Sequence, residues 1–168
     1  GALGLGFTSG FSGMNLSNSE LALITGDLNL INGNITAATG TSLNLTGKLV
    51  IGANGGSIIG QGSMTLNATN GLVIDSSINT SGNIALDGDS NNSSETSDGI
   101  ALASGLLIAS SGGTITLDAT NGGVTSPGAA TLTATGVLNL NDNFTASGPI
   151  LIKSNGLNIG GTSLSSGT

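Results

Sequence analysis

The sequence predicts an all-β chain wound into a parallel β-solenoid, a β-helix of about eight coils of ~20 residues each. Three observations carry this expectation. Aliphatic residues alternate with Asn, Thr and Ser in many short segments, as in Met64-Thr-Leu-Asn-Ala68, Thr114-Ile-Thr-Leu-Asp-Ala119 and Val137-Leu-Asn-Leu140. Side chains change face at every residue of a strand, so Met64, Leu66 and Ala68 point inward while Thr65 and Asn67 meet water. The segments also repeat: Met64–Val73 and Ile115–Val124 agree at seven of ten positions. Finally, helix-forming surface residues are nearly absent, with two Lys, two Glu and one Gln in 168 residues, so essentially no helix is expected.

Taken in order, the alternation marks strands near 27–31, 34–38, 42–46, 48–52, 57–60, 64–68, 72–75, 83–87, 99–103, 106–109, 114–119, 131–135, 137–140, 149–153 and 157–160. Residues 1–26 read as a less regular end of the single segment 1–168. Within them Ser17-x-x-Glu20 imitates a helix capping box, but Gly26 and Asp27 cut the following run short and a strand is expected. Turn residues separate the strands, among them Asn32-Gly33, Asn54-Gly55, Asn70-Gly71, Asn121-Gly122 and Asn155-Gly156. Asn-Gly between two strands is a hairpin signal, yet the internal repeat argues for corners of a coil whose equivalent strands stack in parallel. Three strands and three corners occupy Val124–Asp142, and a similar span follows in Asn143–Gly161. At about 4.8 Å per layer, eight coils make a rod of roughly 40 Å. The polar run at 88–98 has no aliphatic side chain beyond its flanks and is expected to leave the rod as a mobile loop.

Inward parity assigns Leu66, Leu86, Ile115, Leu117, Leu138, Leu140, Ile150 and Ile152 to the core. Hydrophobic content of 37% argues against disorder. A net charge of −7 with Lys48 and Lys153 as the cations leaves nothing to neutralise phosphates, so no nucleic acid or anionic lipid partner is expected. No apolar run reaches the ~18 residues of a transmembrane helix, and no membrane insertion is expected. The chain starts at Gly1 without Met or a signal peptide, which reads as processed or excised from something longer.

Ile78-Asn-Thr-Ser-Gly-Asn-Ile-Ala-Leu86, Thr114-Ile-Thr-Leu-Asp-Ala-Thr-Asn-Gly122 and Val137-Leu-Asn-Leu-Asn-Asp-Asn-Phe-Thr-Ala-Ser-Gly148 resemble the repeats of the filamentous haemagglutinin family, the large adhesins of two-partner secretion. The likeness covers most of residues 27–162. It implies a right-handed parallel β-helix exported to a bacterial surface, with an outer-membrane secretion partner and contact to host or neighbouring cells. The Asn-Pro-Asn motifs of that family's secretion domain are lacking, so the chain would correspond to a shaft segment.

The residues point away from catalysis. With neither His nor Cys, the Ser/His/Asp and Cys/His arrangements cannot form. A polysaccharide-cleaving site would need paired carboxylates, for which Asp75, Asp87, Asp89 and Asp118 are available, but there is no Arg to clamp a substrate and no Trp or Tyr to stack on sugar. No enzyme activity and no cofactor are expected. Asp87, Asp89, Glu95 and Asp98 offer oxygen ligands in one loop, the weak candidates for a metal; the Gly and distal Glu of a calcium loop are out of place, and none is expected. Gly4-Leu-Gly6 lacks the Lys-Ser/Thr of a phosphate loop.

Asn-x-Ser/Thr recurs, with Asn34, Asn44, Asn67, Asn79 and Asn143 as candidate glycosylation sites, although outward Asn stacked in register would form side-chain ladders instead. Thr114-x-Thr116 and Thr131-x-Thr133 resemble the rows of an ice-binding face, which needs the pair on successive coils. The expectation is therefore a structural, exported adhesin or filament segment, a rigid shaft for adhesion or biofilm contacts. Its alternatives are an ice- or glycan-binding module and, less in keeping with the residues, a polysaccharide-degrading enzyme. Because the alternation runs to both ends with no charged or helical cap, identical copies or flanking repeats are expected to stack head-to-tail.

Overall fold

The computed structural model describes residues 2–31, 33–53, 56–93, 98–161 and 163–167. An incomplete first layer comprises β1 (Leu3–Leu5), β2 (Met14–Leu16), the short helix α1 (Asn18–Leu21) and β3 (Leu28–Leu30). Six three-strand coils follow. The first two are β4 (Asn34–Ala37), β5 (Thr41–Leu45), β6 (Leu49–Ile51) and β7 (Ser57–Gly60), β8 (Met64–Ala68), β9 (Leu72–Ile74). The middle pair is β10 (Ser77–Thr80), β11 (Ile84–Asp87), β12 (Ile100–Leu102) and β13 (Leu106–Ser110), β14 (Ile115–Asp118), β15 (Val124–Ser126). The last pair is β16 (Ala130–Ala134), β17 (Val137–Leu140), β18 (Phe144–Ala146) and β19 (Ile150–Lys153), β20 (Gly156–Ile159), β21 (Leu164–Ser166).

Every third strand joins the same sheet. The first sheet runs β2-β1-β4-β7-β10-β13-β16-β19, the second β5-β8-β11-β14-β17-β20, and the third β3-β6-β9-β12-β15-β18-β21. All described pairings between these strands are parallel. The chain is thus an all-β parallel β-solenoid of about six turns, and at ~4.8 Å per strand the eight-strand sheet spans about 34 Å. Six turns replace the eight expected because the residues before β4 form only the incomplete first layer and the coils that follow run somewhat longer than 20 residues. Equivalent core positions Ile35, Ile58, Ile78, Ile108, Leu132 and Ile152 follow one another up the first sheet at intervals of 20 to 30 residues, the longest interval containing the 88–98 excursion.

Parity decides what fills the interior. In β8 the pattern is buried, half-buried, buried, half-buried, buried, so Met64, Leu66 and Ala68 face the axis. Because stacking is in register, like residues form columns, as with Leu43, Leu66, Leu86, Leu117 and Leu140 in the second sheet. Polar groups drawn inward at the corners are satisfied. Thr80 and Ser110 hydroxyls both donate to the Gly82 carbonyl oxygen, at 2.8 and 2.7 Å, and the Ser76 hydroxyl pairs with both backbone groups of Ala53. Asn70-Gly71 and Asn121-Gly122 turn corners between sheets, with Gly71 at φ +99°. Asn32 of one Asn-Gly pair, and Asn54 and Gly55 of another, lie outside the described residues.

Two expectations are corrected. Residues 18–21 form a one-turn helix, with Ser17 and Glu20 making a true capping box: the Ser17 amide donates to Glu20 Oε2 at 2.8 Å and the Glu20 amide to Ser17 Oγ at 3.4 Å. Leu21 is wholly buried, and the helix packs on β5 where later coils carry a second-sheet strand. The helix thus takes the place of a strand beside β5 in the second sheet, while β2 and β3 are the first strands of the other two. Ile150 and Ile152 keep inward parity but are only partly buried, since no coil covers β19.

Candidate functional site

The densest polar cluster lies at the corner leaving the second sheet. Register puts Asp87 beside Asp118 on neighbouring strands, in an outward column continued by Asn67 and Asn44 below. Asp89 is buried although it belongs to the loop: its Oδ1 accepts from the Ser93 amide at 3.1 Å and its Oδ2 from Asn121 Nδ2 at 2.6 Å. Asp87 Oδ1 accepts from the Asp89 amide at 3.0 Å, and Asp142 Oδ2 from the Ala119 amide at 3.1 Å. Asn141 Nδ2 donates to Asp118 Oδ2 at 2.8 Å, and the Thr120 hydroxyl, whose single proton is shared with Asn92 Oδ1, lies 3.2 Å from Asp118 Oδ1.

Burial pushes the Asp87 and Asp142 carboxyls above the ordinary carboxylate value, a backbone hydrogen bond opposes this in each, and the charges of Asp118 and Asp89 add to the rise. The Glu20 carboxyl is held below its ordinary value by the Ser17 hydroxyl and then by the Ser17 amide.

This arrangement holds a loop down rather than presenting ligands. The run 88–98 was expected to leave the rod as a loop; the Gly99 amide closes its neck on the Gly88 carbonyl at 3.0 Å, Ser90, Asn91 and Asn92 are exposed, the Thr120 hydroxyl donates to Asn92 Oδ1 at 2.8 Å, and 94–97 lie outside the described residues. Of the metal candidates, Asp87 and Asp89 spend oxygen lone pairs on these bonds, Asp98 is half-buried, and Glu95 lies outside the described residues. Among the described residues no three acidic side chains converge as a metal site would require. Sequence reasoning missed Asp89 as an anchor because its partner Asn121 stands 32 positions away in the next coil.

The candidate glycosylation residues face outward. Asn34, Asn44, Asn79 and Asn143 are exposed and Asn67 is half-buried. Asn67 Nδ2, the atom a glycan would need, donates to Asn44 Oδ1 at 2.7 Å, and Asn44 Nδ2 to the Ser42 hydroxyl at 3.0 Å. The same ladder links Asn158 to Asn139 at 2.8 Å and Asn139 to Thr116 at 3.1 Å. The Thr rows do not extend: Thr131 stands between Leu107 and Leu151, Thr133 between Ala109 and Lys153, and Thr116 between Ala85 and Asn139.

Two shallow hollows flank the third sheet. One, of about 150 Å³, runs from Lys48 over Gly71, Gly99 and Gly123 to Thr125; the other, of about 250 Å³, lies beside it between Asn121 and Thr145. Neither is lined by an aromatic side chain on which a sugar ring could stack. Comparison with protein-family models, with curated proteins and with solved structures gave no match.

Proposed function

We propose that this chain is a structural element, a rigid β-solenoid shaft segment of an exported surface adhesin or extracellular filament, of the kind the filamentous haemagglutinin resemblance implies. The observation that carries the reading is the uninterrupted parallel hydrogen bonding of three sheets through six coils. A load applied along the axis is shared by three ladders at every layer, while aliphatic columns make each coil cohere with the next. The outward Asn, Ser and Thr residues keep the walls wetted and tie adjacent coils through side-chain ladders.

In this reading the shaft has no catalytic residues, works outside the cell, and holds a tip at a distance from an outer-membrane secretion partner, towards host or neighbouring cells. A flanking repeat would continue the rod by pairing with its end strands. Irregular Thr columns and hollows without aromatic residues favour a shaft over an ice- or glycan-binding module. The test is to place the chain between a surface anchor and a tip domain of known binding and to assay the purified chain alone against ice and a glycan array. A shaft transmits tip binding and has no saturable ligand of its own. Saturable binding by the chain alone, abolished by substituting Thr125 or Val73 beside the hollow, would replace the shaft with a binding module.

A further inference from the structure

The three walls of the rod differ in charge. Asp87 and Asp118 stand on the outer face of the second sheet, and Asp27, Asp98 and Asp142 precede strands by which the chain enters the third. The strands of the first sheet hold none of the nine acidic residues. The same wall carries the apolar surface. Among the described residues, the outward strand positions with exposed large aliphatic side chains are Ile59, Leu107 and Leu151, all in this sheet and 52%, 37% and 49% exposed. The wall is a side of the rod, formed afresh at every coil.

Register orders its residues. Thr36, Ile59, Asn79, Ala109, Thr133 and Lys153 stack in one outward column. Below Thr36 the column continues to Gly4, whose outer side is covered by Phe11: a Cβ there would come within 2.7 Å of the ring. Phe11 packs in turn on Phe7, with ring centroids 4.9 Å apart. The column therefore has an aromatic pair three strands below Asn79 and the Lys153 ammonium three strands above it. Large and small side chains are balanced about the same point. One strand below Asn79 lie Ser57 and Ile59, and one strand above lie Leu107 and Ala109.

We propose that the outer wall of the first sheet binds a second copy of this chain side by side, the two rods antiparallel about a two-fold axis that passes through Asn79 in the plane of contact. Such an axis sets each column against itself in reverse order, with the facing sheets about 10 Å apart. Ile59 then meets Ala109 of the other copy, Leu107 meets Ser57, and Thr36 meets Thr133, so each large side chain faces a small one. Lys153 comes over the other copy's Phe7 and Phe11, where an ammonium is attracted to the ring faces, whereas parallel rods would bring the two Lys153 residues to one level. Charge selects the occupant: the chain carries −7, and this is the wall on which two copies meet without strand carboxylates between them. Asp75, at the corner leading into β10, stands at the rim, where water and salt screen it. Eight strands about 4.8 Å apart and four or five residues long give a contact of roughly 500 Å² on each copy, about 1,000 Å² in all. That is the lower bound for a specific interface, so the dimer is weak and concentration-dependent. The inference rests on the wall and is independent of whether the shaft reading holds.

Two measurements on the full chain test it. Sedimentation velocity over a range of concentrations should show a saturable step from monomer to dimer, and Leu107→Glu should raise the dissociation constant by about tenfold or more with the circular dichroism spectrum kept. Ala101→Glu adds the same charge to an exposed position on the third-sheet wall and should leave the dimer nearly unchanged. Because the sequence has no Cys, Thr36→Cys and Thr133→Cys chains can be mixed and treated with a short thiol-reactive crosslinker. The mixture should give a crosslinked pair of unlike chains, while Thr36→Cys alone should not, its two thiols being about 19 Å apart along the rods. A monomer at every concentration, equal weakening by Leu107→Glu and Ala101→Glu, or efficient crosslinking of Thr36→Cys to itself each overturns the proposal. So does a chain that stays monomeric and instead sediments with an insoluble polysaccharide, which would give the wall another occupant. The crosslinks decide the matter even if Leu107→Glu does not fold.

Discussion

Leu107 and Leu117 belong to the same central coil, and replacing each by Ala should separate the inward face from the outward one. Leu117 is fully buried in β14 between Leu86 and Leu140, whereas Leu107 points out of β13 and is 37% exposed. The change removes about three carbons, worth ~2.4 kcal/mol of transfer free energy if wholly buried, at ~0.8 kcal/mol each. At Leu117 a cavity is added to this. The backbone ladders above and below hold the layers at a fixed spacing, so the hole cannot collapse, and the total should reach about 3 to 4 kcal/mol. At Leu107 the partial exposure reduces the transfer contribution and the site opens to water, so about 1 kcal/mol is expected. Denaturant titration followed by circular dichroism, with the slope checked for loss of cooperativity as repeat proteins require, reads both values. Equal costs at the two positions, or a Leu117→Ala cost below about 1 kcal/mol, would mean that the inward face is wrongly assigned.

Three further outcomes are expected. A Cβ on Gly112 would collide with the Ser81 carbonyl oxygen of the adjacent coil, while one on Gly33 meets open space, so Gly112→Ala should lower the melting temperature by several degrees and Gly33→Ala should not; equal melting temperatures would contradict the close approach of the coils. Asp89→Ala removes the buried acceptor of the Asn121 amide and the Ser93 N–H, leaving them the Ser93 carbonyl and Asn91 Oδ1, and should cost about 1 to 3 kcal/mol while speeding hydrogen exchange at Ser93; unchanged exchange would show that the carboxylate does not hold the loop. Asp87 and Asp142 have their carboxyl pKa values raised by folding, so the folded chain binds these protons more tightly than the unfolded chain. Their contribution is greatest below the unfolded value and is lost as pH rises through the folded one, so stability should fall with pH upward from about pH 4, and Asp87→Asn with Asp142→Asn should flatten the fall. Glu20 runs the other way, its contribution fading as pH drops through its lowered value, so the titration is best done in Glu20→Gln; a midpoint that rises with pH there would refute the assignment.

Much of the coil was legible where aliphatic residues alternate over four or five positions, although Ser77–Thr80, with Ile78 as its single aliphatic side chain, was passed over. Met64–Ala68 and Ser57–Gly60 were bounded to the residue, and Leu66, Leu86, Leu117 and Leu140 fell into one buried column. Three-residue strands were harder. Val124–Ser126 and Phe144–Ala146 give a single inward-outward-inward beat, which turn residues also produce, and they stand out only through pairing with the coils around them. The coil count failed for a related reason: corners vary in length, and no local pattern shows that Ile78 stacks under Ile108. The helix at Asn18–Leu21 was overlooked because its four residues are too few for a period, although the Ser17/Glu20 box was visible. Asp89 read as a solvated loop acid, since its burial depends on Asn121 from the following coil.

The mechanical reading depends on parallel stacking in place of Asn-Gly hairpins, and nuclear Overhauser contacts between backbone protons distinguish the two directly. The coil places Ile78 between Ile58 and Ile108, and Leu86 between Leu66 and Leu117, so contacts should join those residues in parallel register across 20 to 31 positions of sequence. Antiparallel contacts between 64–68 and 72–74 across Asn70-Gly71, with the long-range set missing, would contradict the solenoid and the shaft built on it.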